Sequence, residues 1–127
     1  MKEVMAVIRM NMINKTKEAL LDEGFPSMTC RKVLGRGKKK IDFSIIQGLI
    51  NESEIQSMEI AEQISEAHRL ISKRLITLIV EDEDVEKVVD IIIQVNSTGN
   101  PGDGKIFVLP VLEAVRIRTG EISSEAI

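Results

Sequence analysis

Apolar residues along this chain recur at every second position, then at every third or fourth, and the order in which the two periods alternate constrains the fold more than any single motif. Val4, Ala6, Ile8 and Met10 share one side of the opening segment and Met5 and Val7 the other, as in a strand buried on at least one face. Asn11 or Asn14 is placed to cap a helix running through Glu23, with Ile13, Thr16, Ala19 and Leu20 as its apolar stripe and Gly24 as its left-handed stop. A second strand is expected over residues 28–34, ending at Gly35-Arg36-Gly37. Residues 75–80 are continuously apolar apart from Thr77, the pattern of an interior strand. The acidic corner Glu81-Asp82-Glu83-Asp84 then complements the dipole of a helix bearing Val85, Val88, Val89 and Ile92, and supplies its cap. Residues 97–104 read as loop, residues 106–111 as a fourth strand with Pro110 marking its end or an edge, and residues 114–118 as a short extra strand. The order βαββαβ predicts an α+β, ferredoxin-like sandwich, a single domain over residues 1–127 with both helices on one face of the sheet.

The stretch from 36 to 69 is much longer than the usual connection between neighbouring strands. Within it Ser53-x-x-Gln56 has the form of a capping box, and Ile55, Met58, Ala61, Ile64, His68 and Ile71 recur at helical spacing. An amphipathic helix over residues 54–69, mounted on a hinge, is the expectation.

Composition removes several function classes. Lys and Arg number 17 against 20 Asp and Glu, a net charge of −3, and the aromatics are Phe25, Phe43 and Phe107 alone. Neither a field nor a stacking platform is available to gather nucleic acid. Cys30 is the single cysteine, so no intramolecular disulfide forms; inside a strand it reads as a buried, inert thiol in a reducing compartment. No apolar run is long enough to span a bilayer and Met1-Lys2-Glu3 does not open a signal peptide, so a cytoplasmic protein without membrane insertion is expected. His68, with no second imidazole or cysteine at ligand spacing, reads as a packed histidine; no metal site and no catalytic residue are predicted, and the chain is not expected to be an enzyme.

Anion recognition has more support. Gly102-Asp103-Gly104-Lys105 is either an ordinary tight turn or a concave nest of backbone N–H groups with the Lys105 charge beside it. Arg116 and Arg118, two apart, would leave one face of an extended segment, to clamp one polyphosphate or to guard a solvated strand edge. Arg36 and Lys38 to Lys40 follow Gly35 and form a solvated turn, a nucleic-acid patch or the other lip of an anion site.

The run Gly99-Asn100-Pro101-Gly102-Asp103-Gly104-Lys105-Ile106-Phe107-Val108-Leu109-Pro110-Val111, followed by Val115-Arg116-Ile117-Arg118-Thr119-Gly120-Glu121, resembles the C-terminal signature of the PII signal-transduction family, the GlnB/GlnK-like proteins. Ala6-Val7-Ile8-Arg9, Lys17-Glu18-Ala19-Leu20, Gly24-Phe25, Met28-Thr29 and Gly35-x-Gly37 agree with its N-terminal half, so the likeness covers everything but the arm. It implies a trimer of ferredoxin-like subunits, an ATP or ADP site in each cleft between neighbours, and a mobile T-loop, here about residues 36–69, that touches the target. By that resemblance Gly102, Asp103, Gly104 and Lys105 are the phosphate loop and Arg116 and Arg118 the phosphate clamp. Gly35, Gly37 and Lys38 open the T-loop beside the nucleotide, and Thr29 and Ile79 stand around the adenine. Gly37, Lys39 and Lys73 meet the effector 2-oxoglutarate. Many PII proteins have glutamine at the position of Lys39, where it helps hold magnesium; a cation there argues against a magnesium-bridged effector and would pair with an effector carboxylate or a phosphate instead.

The chain has no tyrosine, so uridylylation of the T-loop is excluded. The insertion over residues 41–69 resembles the nitrogen-fixation NifI branch, and its length the second paralogue of that pair. That branch implies a non-enzymatic regulator that senses ATP/ADP and 2-oxoglutarate and restrains nitrogenase by binding its dinitrogenase component, either as a homotrimer or as a hetero-oligomer with its paralogue. Ile41, Phe43, Ile45, Ile46, Leu49 and Ile50 supply apolar area for the target. The alternative is a general PII protein regulating an ammonium transporter or a nitrogen-assimilation enzyme.

Overall fold

The computed structural model describes residues 1–37 and 70–127. Two units are distinguished, Met1–Val33 with Ser72–Ile127, and Leu34–Ile71. The elements are β1 (Lys2–Arg9), α1 (Ile13–Asp22), β2 (Thr29–Gly35), β3 (Ile71–Val80), α2 (Val85–Asn96) and β4 (Lys105–Pro110). They form a four-stranded sheet in the order β2-β3-β1-β4, with β1 antiparallel to both β3 and β4. This is the expected ferredoxin-like α+β arrangement.

Register explains the core. Val4 pairs with Leu78 and Ala6 with Ile76, so these alternate residues and Ile8 and Val80 share one face. Leu20 of α1 and Val88 and Ile92 of α2 pack on that face, and all nine residues are buried. At roughly 1.5–3 kcal/mol for each fully buried large aliphatic side chain, this layer is the main stabilising contribution. The two helices are also tied by a polar contact. Asn96 Nδ2 donates to Thr16 Oγ1 at 3.1 Å and to the Ile92 carbonyl at 2.9 Å, while the Thr16 hydroxyl donates to the Met12 carbonyl at 2.7 Å.

Several local expectations are corrected. Neither Asn11 nor Asn14 caps α1; a 3₁₀ turn over Met10–Met12 leads in, and no side chain bonds the first turn. The acidic corner likewise supplies no cap, because Asp82–Asp84 is itself a 3₁₀ turn and Asp84 already has helical dihedrals. Its charges remain favourably placed near the N-terminus of α2. Gly24 does stop α1, with φ +91° and the Phe25 N–H closing on the Leu20 carbonyl at 2.8 Å. Strand β3 starts four residues before the apolar run, because Lys73 and Arg74 pair with Arg9 and Ile8 despite their polarity. Cys30 is exposed, since β2 is an edge strand and both of its faces are largely open there. The predicted extra strand is a tight hairpin instead. Val115 bridges Ile122, and Arg116 exchanges backbone bonds with Glu121 and Gly120, the latter at φ +73°. The expected arm helix over residues 54–69, His68, Lys38, Lys39 and Lys40, and the target-contact residues Ile41, Phe43, Ile45, Ile46, Leu49 and Ile50 lie outside the described residues.

Candidate functional site

Arg9, Lys73, Lys105 and Asp103 stand at the end of the sheet where β1 finishes and β4 begins, and of the three cations Arg9 pairs with the carboxylate. Arg9 is the last residue of β1 and pairs with Lys73 of β3; Lys105 opens β4 opposite Val7. The loop over residues 97–104 joins α2 to β4 at this end.

Asp103 organises the loop from within. Its carboxylate accepts from the Thr98 N–H at 2.8 Å, the Gly99 N–H at 3.0 Å, the Thr98 hydroxyl, and Arg9 Nη1 at 2.5 Å. These bonds, those of Thr98 first and then that of Arg9, hold its carboxyl well below the usual carboxylate range. Asp103 therefore stays ionised and acceptor-only at ordinary pH. Two backbone amides at the start of the loop, Thr98 and Gly99, are thereby committed inward. Any anion must be met further along, around Gly102, Gly104 and Lys105.

Beyond Asp103 the loop is held by the strands. Lys73 Nζ donates to the Gly102 carbonyl at 3.0 Å and Arg9 Nη2 to the Pro101 carbonyl at 3.0 Å. Gly104 has φ +114°, and a Cβ there would stand 1.9 Å from the Val7 carbonyl oxygen, so only glycine lets the loop enter β4 against the backbone of β1. A concavity of about 410 Å³, floored by Val89, Ile92 and Ile106 and bordered by Gly104 and Lys105, opens beside it.

Of the residues singled out in the sequence, Gly102, Asp103, Gly104, Lys105 and Lys73 come together here. Arg116 and Arg118 do not form an extended clamp. Arg116 is engaged within the C-terminal hairpin by the Glu121 carboxylate and by the Glu125 carbonyl at 2.6 Å, and Arg118 is exposed in the turn. Ile79 pairs with Glu3 at the opposite end of β3, six residues and roughly 20 Å from Lys73. Thr29 is exposed at the start of β2. Gly35 ends β2 and, with Gly37, belongs to the other unit. Arg9 and Thr98 are the site residues that pattern reading passes over. The βαββαβ order could have found Arg9, because it makes β1 and β4 neighbours and so brings the end of one to the loop before the other.

Among the described residues no three His, Cys, Asp or Glu side chains gather as metal ligands. Asp103, the carboxylate of the site, already accepts bonds at both oxygens. That leaves the carboxylate no oxygen without a protein donor. Nor is any described helix long and apolar enough to cross a membrane.

Residues 1–121 match the family described as nitrogen regulatory protein P-II. The chain belongs to the P-II family. It is 46% identical, over all of its own length and 99% of the relative, to the nitrogen fixation nifHD region GlnB-like protein 2 of Methanobacterium ivanovii. The protein of the same description from Methanothermococcus thermolithotrophicus is 48% identical, with 100% and 98% covered. Among solved structures, Arabidopsis thaliana PII bound to citrate superposes with a TM-score of 0.71 at 29% identity, covering 98% of this chain and 87% of the plant protein. The likeness to the nitrogen-fixation branch of P-II, and to its second paralogue, is borne out by those relatives.

Proposed function

We propose that this P-II protein senses ATP or ADP together with 2-oxoglutarate and controls nitrogenase by binding its dinitrogenase component directly through the loop over residues 36–69. The observation that carries the reading is the placement of charge at the sheet end: Arg9 and Lys73 pair across the ladder and bond the loop over residues 97–104, Lys105 follows that loop at the start of β4, and Asp103 pairs with Arg9. Arg9 is neutralised by Asp103, whereas the bond of Lys73 is to a neutral carbonyl, so Lys73 and Lys105 keep charge for an anion. A polyphosphate is met by Lys105 and the glycine backbone; a small dicarboxylate is met by Lys73, which exchanges its carbonyl partner for a carboxylate.

The outer face of the sheet supports assembly. Met5 pairs with Thr77 and Phe107, and Glu3 with Ile79 and Leu109, which leaves Phe107 49%, Ile79 37% and Leu109 37% exposed on the face away from the helices. Copies of the chain, in a homotrimer or with a paralogue, cover that face and bring Arg116, Arg118, Thr29 and Ile79 of neighbours toward the phosphate loop. The protein acts in the cytoplasm as a regulator and turns over no nucleotide. The test is calorimetric titration of ATP and 2-oxoglutarate, singly and together. Lys105→Ala and Arg116→Ala should weaken ATP binding, and Lys73→Ala should abolish the response to 2-oxoglutarate with ATP binding kept. A wild-type protein indifferent to both ligands overturns the reading.

A further inference from the structure

We propose that Arg9 is a positioning residue of the anion loop, acting through Asp103 to set the path of residues 98–104 and not as a ligand of the bound anion. The proposal rests on the nucleotide reading above for its functional readout and on geometry for everything else. Arg9 spends both terminal nitrogens on the loop, Nη1 on the Asp103 carboxylate at 2.5 Å and Nη2 on the Pro101 carbonyl at 3.0 Å. It also fills the space beside Gly102, where an added Cβ would meet Nη2 at 3.3 Å. The pair is sheltered, with the two side chains 26% and 25% exposed. Asp103 passes the constraint on, because the same carboxylate holds the Thr98 and Gly99 amides at the start of the loop.

A division of labour among the three cations follows. Arg9 ends β1, where its backbone is still held by the ladder to Lys73 of β3, and its side chain therefore reaches the loop from a fixed strand. Its charge is cancelled by Asp103, which makes it a poor anion ligand and a good anchor. The fork of a guanidinium is needed, since a carboxylate and a carbonyl are gripped at once and an ammonium is a single point of charge. Lys73, its partner across the ladder, holds the Gly102 carbonyl among the described residues and is the exchangeable contact.

The experiment compares Arg9→Met, Asp103→Asn and the double variant, with Arg9→Lys as a fourth protein. ATP affinity is read by calorimetry and the Thr98 and Gly99 amides by nitrogen-15 correlation spectra. Each single change should weaken ATP binding about tenfold, the loss expected when one charge-assisted bond of a partly buried network is removed, and the double variant should be no weaker than either. The two amide resonances should move in both single variants, and Arg9→Lys should resemble Arg9→Met. The proposal is overturned if the Arg9→Met loss persists in full in the Asp103→Asn background, if Arg9→Lys restores wild-type affinity, or if the amides stay where they were. Should wild-type protein bind no ATP, the nucleotide reading fails by itself, and the amide shifts still decide whether Arg9 sets the loop.

Discussion

Gly104 shows how little freedom a single position can have. Two penalties coincide there, a left-handed φ of +114° and the Val7 carbonyl 1.9 Å from where a Cβ would stand. Gly120 separates them, having φ +73° with nothing within 4 Å of its would-be Cβ. Gly120→Ala should cost about 1–2 kcal/mol, the ordinary penalty of the left-handed region for a side chain. Gly104→Ala should cost more, roughly 3 kcal/mol or above, because the backbone of β1 cannot retreat without breaking its ladder. Thermal unfolding of the two variants checks the ordering, and equal losses would mean that the close approach at Val7 is relieved without strain. Asp103 carries the complementary lesson. Its place in a glycine-rich run reads as part of an anion nest, yet its partners are Thr98, Gly99 and Arg9, so it shapes the loop from within.

The elements are joined by features of unequal legibility. Thr16 and Asn96 are buried at 0% and 5% exposure and bonded to each other across α1 and α2. Thr16→Val keeps the shape, removes the acceptor of the Asn96 amide and should cost about 1–3 kcal/mol in denaturant unfolding; an unchanged midpoint would show the contact to be idle. A polar pair of this kind is hard to read from a chain, since each residue interrupts an apolar stripe and its partner is on the facing helix. The interior run of β3 and the Gly24 stop were legible because each follows from local chemistry, side-chain period in one case and the left-handed conformation in the other. The 3₁₀ entries to both helices were not, because a capping pattern describes a single geometry and the chain used another. Exposure of Cys30 depends on β2 lying at an edge, which is a property of strand order. The glycine loop before β4 was visible in its glycines and Lys105, whereas Arg9 joined it only once β1 and β4 were neighbours.

For the molecule as a whole, the decisive quantity is what covers the outer face of the sheet. One face carries the helices and the core; the other presents Met5, Val7, Leu75, Phe107 and Leu109 in register, and Leu112 and Ile117 near the C-terminus are almost wholly exposed. Each aliphatic or aromatic group left in water forgoes roughly 1.5–3 kcal/mol that burial would supply, so association of copies through this face is favoured. Phe107→Glu tests it. In an isolated protomer residue 107 is half exposed and the charge is tolerated, with folding little changed by circular dichroism. In an assembly the same carboxylate is desolvated against apolar neighbours with no cation facing it from Met5, its partner in the ladder, and association fails. Light scattering should therefore give an oligomeric mass for the wild type and a protomer mass for the variant. On the proposed function ATP affinity should fall with it, because that reading takes Arg116 and Arg118 of the cleft from a neighbour. A folded variant that keeps both its mass and its ATP binding would place the assembly interface, and with it the shared site, on another surface.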